Sequence, residues 1–310
     1  MTVLDPSVAI TSPADAATLE ATSLALSLDV SDFTMSGDVG GAAVIGEGHF
    51  HVFVDGAYYN YGTDPSRFIV TGLTPGPHTI TAELVHSDHA SLSPAIRSTI
   101  NVNVASDART ITLDDSMFGA VDSASVYVPV SVANFTLAPD DVDGTASEGE
   151  GHYHVYVNGS YVTYGAGAGV WLHHLPAGTH TVEVRAADND HTEIEGVDSG
   201  TLVIAEGRPD VRITSPADGE ILSGDGFNVM VDVENFTFAP DEVGSSTNAD
   251  GTGHYHVYVD GIYYNYDTSA STLILGMDPG DHTVQLELVN NDHSSFTYPV
   301  MTEAVTVTIE

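Results

Sequence analysis

Paired histidines recur three times in the chain, each time at the start of the same pattern. Segments 48–56, 151–159 and 253–261 all read Gly-His-aromatic-His-Val-aromatic-Val, followed by Asp-Gly or Asn-Gly. Alternating β-branched and aromatic residues before such a dipeptide predict a strand that enters a hairpin turn. Residues two apart on a strand share one face, with Cα atoms about 6.5 Å apart. Each pair can therefore close around one metal ion, at about 2.0–2.1 Å from each imidazole nitrogen.

The strands that position these pairs belong to a repeated unit. The first histidines of the pairs, His49, His152 and His254, are 103 and 102 residues apart. This period predicts three tandem domains, at residues 1–105, 106–206 and 207–310. Each repeat contains about seven short strand patterns separated by turn signals, and no convincing helix pattern. The sequence therefore predicts an all-β chain of three tandem immunoglobulin-like antiparallel β-sandwiches.

That fold supplies each pair with a third histidine. In an immunoglobulin-like sandwich, strand C is antiparallel to strand F, so the start of C lies beside the end of F. The histidine pair begins strand C, and an Asp-His dipeptide follows strand F in every repeat. We therefore predict three metal sites with the following ligands: His49, His51 and His89; His152, His154 and His191; and His254, His256 and His293.

The donor set limits the choice of metal. Neutral imidazoles suit zinc, copper, nickel or iron, and suit calcium and magnesium poorly. We expect zinc first, and copper(II) next because it ranks higher in the divalent affinity order, with up to three ions per chain. The chain has no cysteine, which excludes thiolate ligands and disulfides. Calcium is a further candidate at the acidic loop 140–144, although this loop lacks the ligand spacing of a dedicated calcium loop.

The remaining coordination positions are left open by the sequence. Glu47 and Glu150 lie two residues before their histidine pairs and are candidates for binding the ion or a metal-bound water, but the third repeat has Thr252 there. An aspartate precedes the third histidine in every repeat. Neighbouring strand residues point to opposite faces, so these aspartates are interpreted as acceptors that orient an imidazole or as turn residues: Asp88, Asp190 and Asp292.

The composition indicates the surroundings of the protein. With 44 acidic residues and 6 basic residues, all of them arginine, the formal charge is −38. Such a surface repels nucleic acid and anionic membranes and attracts cations, and it also suits solubility in a salty or extracellular setting. No apolar segment is long enough to span a membrane. We expect an extracellular or cell-surface protein whose export signal is absent from this sequence, with metal ions as partners and a surface or self-assembly partner at the sandwich ends.

Two resemblances support these interpretations. The openings Ile-Thr-Ser-Pro-Ala-Asp at 10–15 and 213–218, together with the segment Leu-Thr-Pro-Gly-Pro-His-Thr-Ile at 73–80, resemble the immunoglobulin-like repeats of large secreted bacterial proteins. That resemblance implies the fold and an exported location, but no activity. Separately, His-x-His on a sandwich strand is similar to the copper strand of copper-zinc superoxide dismutase, although the bridging histidine, zinc loop and disulfide of that enzyme have no counterparts in this sequence.

Further histidines and tyrosines are interpreted as structural. One histidine opens strand F in each repeat and is expected at the far end of the sandwich: His78, His180 and His282. The unrepeated histidines are expected at the surface: His86, His173 and His174. Tyrosine-rich runs at 58–61, 161–164 and 263–266 favour cross-strand packing, with an aromatic face for sugars or a neighbouring chain as the alternative.

Three functions follow as hypotheses. The first is metal binding, storage or metal-dependent surface assembly, with one three-histidine site per domain. The second is a zinc hydratase or hydrolase in which metal-bound water attacks and Glu47 or Glu150 accepts the proton. The third is a metal-free adhesion or spacer module. Three equivalent sites in one chain favour metal binding over an enzyme, and metal binding is expected to fail below about pH 6, where free imidazole protonates.

Overall fold

The chain is all-β, as predicted, in a computed structural model that describes residues 5–114, 116, 118–121 and 123–310. Apart from short 3-10 turns such as Pro139–Asp141 and Pro240–Glu242, the regular elements of these residues are strands. The chain divides into two compact units. Unit 1 comprises the chain up to Leu113 with Val130–Ala168 and Glu183–Ser199, and unit 2 comprises Asp114–Pro129, Gly169–Val182 and Gly200–Glu310. The second repeat contributes to both units, and the predicted limits of three domains remain a prediction.

The first repeat lies within unit 1 and forms two sheets. Its strands are β1 (Ser7–Ser12), β2 (Ala17–Ala21), β3 (Leu24–Ser31), β4 (Thr34–Met35), β5 (Glu47–Val54), β6 (Ala57–Gly62), β7 (Phe68–Val70), β8 (Gly76–His86) and β9 (Ser91–Leu113). One sheet has the order β1-β3-β7, and the other contains β9-β8-β5-β4, with β2 beside β9 and β6 beside β5. This is the immunoglobulin-like arrangement, with β5 as strand C and β8 as strand F. Strand β9 continues through residues 105 and 106, where the first domain boundary is predicted.

The second repeat forms a similar series of strands along the chain. They are β10 (Gly119–Val121), β11 (Val126–Ala133), β12 (Thr136–Leu137), β13 (Glu150–Val157), β14 (Ser160–Gly165), β15 (Gly169–Leu172), β16 (Gly178–Ala187) and β17 (Glu193–Ile204). Within unit 1, the order β17-β16-β13-β12 is formed, with β14 beside β13. Within unit 2, β15 pairs with the start of β11, and β10 runs parallel to the end of β17.

The third repeat lies within unit 2 and repeats the two-sheet arrangement. Its strands are β18 (Asp210–Ser215), β19 (Glu220–Leu222), β20 (Gly226–Glu234), β21 (Thr237–Phe238), β22 (Thr252–Val259), β23 (Ile262–Asp267), β24 (Ser271–Leu275), β25 (Gly280–Val289), β26 (Ser295–Met301) and β27 (Val305–Ile309). The sheets have the orders β18-β20-β24 and β19-β27-β25-β22-β21, with β23 beside β22 and β26 beside β25.

Alternation along strand C separates the core from the histidines. Phe50 and Val52 on β5 are fully buried in the core of the first repeat, so His49 and His51 lie on the opposite face of the sheet. In the third repeat, the residues Tyr255 and Val257 are buried in the same way. Packing of the alternate residues therefore fixes the direction in which each histidine pair points.

The strands end in the predicted hairpin turns. Asp55 and Gly56 have φ values of 52° and 77°, and the corresponding Asn158 and Gly159 have φ values of 52° and 77°. Two successive residues in the left-handed region are what a tight two-residue hairpin requires, which explains the Asp-Gly and Asn-Gly sequences. No helix among the described residues is long and apolar enough to cross a membrane.

Candidate metal centres

Strand pairing brings each histidine pair beside the end of strand F. In β5, His49 is the cross-strand partner of Val85 on β8, and in β22, His254 is the partner of Val289 on β25. The glycine before each pair is required by this close approach. A Cβ atom on Gly48 would lie 2.0 Å from the carbonyl oxygen of Val85, and one on Gly253 would lie 2.1 Å from that of Val289.

A tight turn after strand F returns the third histidine to the pair. His89, His191 and His293 have φ values of 66°, 66° and 67°, in the left-handed region that few residues other than glycine adopt. The preceding aspartate stabilises this turn: Asp88 Oδ1 accepts from the Ala90 N–H at 3.0 Å. Asp190 and Asp292 accept the equivalent hydrogen bond from the residue two positions later. These aspartates therefore act as turn residues, which is one of the two roles predicted for them.

The three imidazoles of the first site converge on one point. His49 Nε2 lies 3.2 Å from His51 Nε2 and 3.1 Å from His89 Nδ1, and the last two atoms are 3.0 Å apart. A ring nitrogen carries either one hydrogen or one lone pair in the ring plane, so hydrogen bonds can satisfy at most two of these three contacts. Three lone pairs directed at one cation would satisfy all three nitrogens.

In the second and third sites, the third histidine makes both of the corresponding contacts with the pair. His191 Nδ1 lies 3.0 Å from His152 Nε2 and 3.2 Å from His154 Nε2. His293 Nδ1 lies 2.9 Å from His254 Nε2 and 3.0 Å from His256 Nε2. In every site the three ligand atoms lie within 4.8 Å of one another. All nine predicted histidines are thus brought together as three triads, whereas metal occupation of these triads remains a prediction.

The spacing of the nitrogens suits a small divalent ion. Two ligands of a tetrahedral zinc ion, each about 2.0–2.1 Å from the metal, are about 3.3–3.4 Å apart. The observed separations of 2.9–3.2 Å are close to that value, so binding requires shifts of a few tenths of an ångström. Three ligands leave a fourth position for water or an external group.

The first histidine of each triad favours the neutral form of imidazole, which is the form that binds metal. Burial, followed by repulsion from the two neighbouring imidazoles, lowers the pKa of the first histidine in each site to about 4: His49, His152 and His254. These three side chains are buried. Burial also lowers the pKa of His51 and His256. A ligand that is already neutral does not have to lose a proton when the ion binds.

Tyrosines from the strand after the hairpin border each site. The Tyr61 ring lies edge-on to His49 and His89, with centroid distances of 5.3 and 5.8 Å, and the Tyr58 ring lies 5.0 Å from His51. The corresponding rings in the other sites are Tyr161 and Tyr164, and Tyr263 and Tyr266. These tyrosines take part in cross-strand packing, as predicted. The sequence did not show that the imidazoles would be their packing partners.

Carboxylates surround the triads without entering them. Among the described residues, the clusters of mutually close ligand atoms contain only the three histidines of each site, and neither Glu47 nor Glu150 joins them. Two acidic residues that the sequence prediction missed contact the second triad. Asp143 Oδ1 lies 2.9 Å from His191 Nε2, and Glu193 Oε1 lies 3.4 Å from His154 Nδ1. Asp143 belongs to the loop considered for calcium, but its carboxylate is directed at a histidine.

The histidines that open strand F lie at the other end of their strands, as predicted. His78 Nδ1 lies 2.8 Å from Asp55 Oδ2, and its Nε2 lies 2.7 Å from the Thr74 carbonyl oxygen. His173 and His174, which were expected at the surface, are half-buried. His173 Nδ1 lies 3.0 Å from the Met301 carbonyl oxygen, and His174 Nδ1 lies 2.8 Å from Asp210, because this turn packs against the third repeat within unit 2.

The solved structures that are similar to this chain include tandem β-sandwich modules. No protein-family model and no curated protein matches it. Similar solved structures include the fibronectin(III)-like modules of CbhA from Clostridium thermocellum, with 14% identity, a TM-score of 0.23, and 64% of this chain and 92% of that one covered. The central fibronectin-III array of RIM-binding protein has 16% identity, a TM-score of 0.21, and coverage of 96% and 97%.

A third similar structure is a tetra-tandem repeat in the extending region of a large adhesion protein, with 16% identity, a TM-score of 0.20, and coverage of 98% and 74%. At these values the likeness carries no argument about function, and the immunoglobulin-like assignment rests on the strand order of the chain itself. The similarity of the His-x-His strand to copper-zinc superoxide dismutase is not supported by these structures.

Proposed function

We propose that this chain is an extracellular metal-binding repeat protein that holds one transition-metal ion per repeat, zinc or copper, through three histidines. The observation that carries the proposal is the triangle of nitrogens in the first site, with all three separations between 3.0 and 3.2 Å. Mutual hydrogen bonding cannot account for three such contacts, whereas one bound cation does. The formal charge of −38 further favours the approach of cations.

Metal analysis of protein purified without a histidine tag tests this function. After incubation with zinc or copper and removal of free metal, we expect about three ions per chain. A variant with His51→Ala, His154→Ala and His256→Ala removes one ligand from every site and should retain none after the same treatment. A matched control, His78→Ala with His282→Ala, removes two histidines outside the triads and should keep all three ions. If the unaltered protein binds neither metal, the chain is a metal-free adhesion or spacer module.

The open fourth position favours one alternative, a zinc hydratase or hydrolase. A three-histidine zinc ion lowers the pKa of its bound water to about 7, which produces a nucleophile near neutral pH. Hydration and ester-hydrolysis assays on the zinc-loaded protein separate the two functions, with the metal-free protein as the control. We expect no rate above that control. A zinc-dependent rate that is lost with His51→Ala, His154→Ala and His256→Ala would establish the enzyme instead.

A further inference from the structure

The second triad differs from the other two at positions that contact its imidazoles. In the loop before strand C, the residue that follows a valine is Asp143 in the second repeat, and Gly40 and Gly244 in the first and third. All three have a positive φ, of 68°, 87° and 81°, so they occupy equivalent backbone positions. The side chain that reaches His191 is therefore absent from the other two sites.

Asp143 contacts the ring nitrogen that does not face the metal position. Its Oδ1 atom lies 2.9 Å from His191 Nε2, while His191 Nδ1 faces His152 and His154. A carboxylate at Nε2 holds the hydrogen there, and this leaves the lone pair on Nδ1 for the ion. It also restrains the orientation of the His191 ring, which lies on a turn with 32% of its side chain accessible to solvent.

Glu193 likewise contacts the ring nitrogen of His154 that faces away from the other two histidines. It lies two residues after the third histidine, where the other repeats have Ser91 and Ser295. Glu193 Oε1 lies 3.4 Å from His154 Nδ1 and accepts a hydrogen bond from Tyr156 Oη. Glu193 Oε2 lies 3.1 Å from Arg185. The carboxylate is thus held in place by two further side chains, which limits its movement away from His154.

Arg185 is the third difference, and its charge opposes the binding of a cation. It lies six residues before the third histidine, at the position of Glu83 and Glu287 in the other repeats. However, Arg185 forms ion pairs with both Glu183 and Glu193. In the first site, Glu83 is itself paired with Arg97 at 2.9 Å, whereas in the third site Glu287 accepts a hydrogen bond from Tyr258 Oη at 2.8 Å and keeps its charge. Hydrogen-bonded carboxylates behind metal-binding histidines typically change affinity by 10–100-fold, so we expect them to outweigh this difference in charge.

We propose that the second site has the highest metal affinity of the three and fills first, with Asp143 and Glu193 as positioning residues for its imidazoles. This inference rests on the proposed function of the triads. In the unaltered chain, titration of zinc-loaded protein with a chromogenic chelator should release two ions first and hold the last one about ten-fold more tightly.

Variants that keep only one triad would show which site holds the most tightly bound ion. Each keeps one triad intact, and the pair histidines of the other two triads are changed to alanine. Asp143→Gly should weaken zinc binding at the second site about ten-fold, while Asp143→Asn, which retains an oxygen acceptor, should weaken it less. Conversely, Gly40→Asp should strengthen the first site, a gain that a merely structural aspartate would not produce. Thermal midpoints of the metal-free variants control for folding.

The outcomes separate this inference from the function on which it rests. Three ions released at equal chelator concentrations, or an Asp143→Gly variant with unchanged affinity, would overturn the inference while leaving metal binding established. Tightest binding at the first or third site would also overturn it. Absence of zinc and copper binding at every site would overturn the proposed function, and the ranking of the sites with it.

Discussion

The two ends of strands β5 and β8 carry histidines in opposite electrostatic surroundings. At one end, His49 faces His51 and His89, and burial together with these imidazoles lowers its pKa to about 4. At the other end, both ring nitrogens of His78 face oxygen acceptors, Asp55 and the Thr74 carbonyl, an arrangement that favours the imidazolium, in which both nitrogens donate. Neighbours rather than residue type decide which histidines are prepared for a metal and which form ion pairs.

The third repeat shows the same contrast, whereas the second departs from it. His282 Nδ1 lies 2.8 Å from Asp260 Oδ2, and its Nε2 lies 2.9 Å from the Asp278 carbonyl oxygen. These hydrogen bonds raise the pKa of His282, the one to Asp260 most strongly. Burial alone would lower the pKa of His78, but its bonds to Thr74 and Asp55 raise it. In the second repeat, the position of Asp55 and Asp260 is occupied by Asn158.

The largest expected difference between the two ends is their response to metal. Saturating zinc should raise the free energy of unfolding, by about 4 kcal/mol for a site at 1,000 times its dissociation constant. His51→Ala should remove the contribution of the first site, while His78→Ala should lower stability in the metal-free state but preserve the increase on adding zinc. Denaturant unfolding with and without zinc measures both effects. An equal loss of the zinc effect in the two variants would contradict the comparison.

The two ends should also give the metal-free protein opposite dependences on pH. The pKa of His49 is lowered in the fold, so the unfolded chain binds more protons and stability falls as pH decreases from about 6.5 towards 4. The pKa of His78 is raised, so its contribution is present below about pH 6.5 and is lost as pH rises through the folded value. Urea unfolding midpoints between pH 4 and 9 should therefore decline on both sides of a maximum.

Removing the charge of Asp55 tests the pH dependence that is expected from His78. Asp55→Asn should lower the pKa of His78, because the ring loses its charged acceptor, and should reduce stability below pH 6.5 by roughly 1 kcal/mol or less. Histidine Cε1–H shifts followed by NMR between pH 4 and 9 would report the change, with His282 as the internal reference. An unchanged titration of His78 would mean that Asp55 does not stabilise the imidazolium.

The smallest expected effect concerns the glutamate before the first pair. Glu47 was a candidate ligand, but the triad closes without it. Glu47→Gln should therefore change zinc affinity at the first site less than about three-fold, as a nearby but uncoordinated charge does. Competition with a chelator gives the value. A ten-fold or greater loss of zinc affinity would mean that Glu47 binds the ion.

Local sequence patterns were sufficient for much of the fold and for the nine candidate ligands. The alternation around Phe50 and Val52 predicted strand C, and Asp55-Gly56 predicted its turn, because both depend on short-range chemistry. The general antiparallel pairing of strands C and F was enough to add His89 to His49 and His51. The path of the loops is not encoded in such patterns, and for this reason Asp143 and Glu193 were missed.

The sequence by itself determined that three similar β-sandwich repeats each carry a histidine pair facing away from the core, since period-two alternation and turn residues are properties of neighbouring residues. Only the tertiary structure decided in which direction the pKa values of His49 and His78 are shifted. Both residues have ordinary sequence surroundings, and their difference arises from burial and from the imidazoles, carboxylate and carbonyl that other segments place against their ring nitrogens.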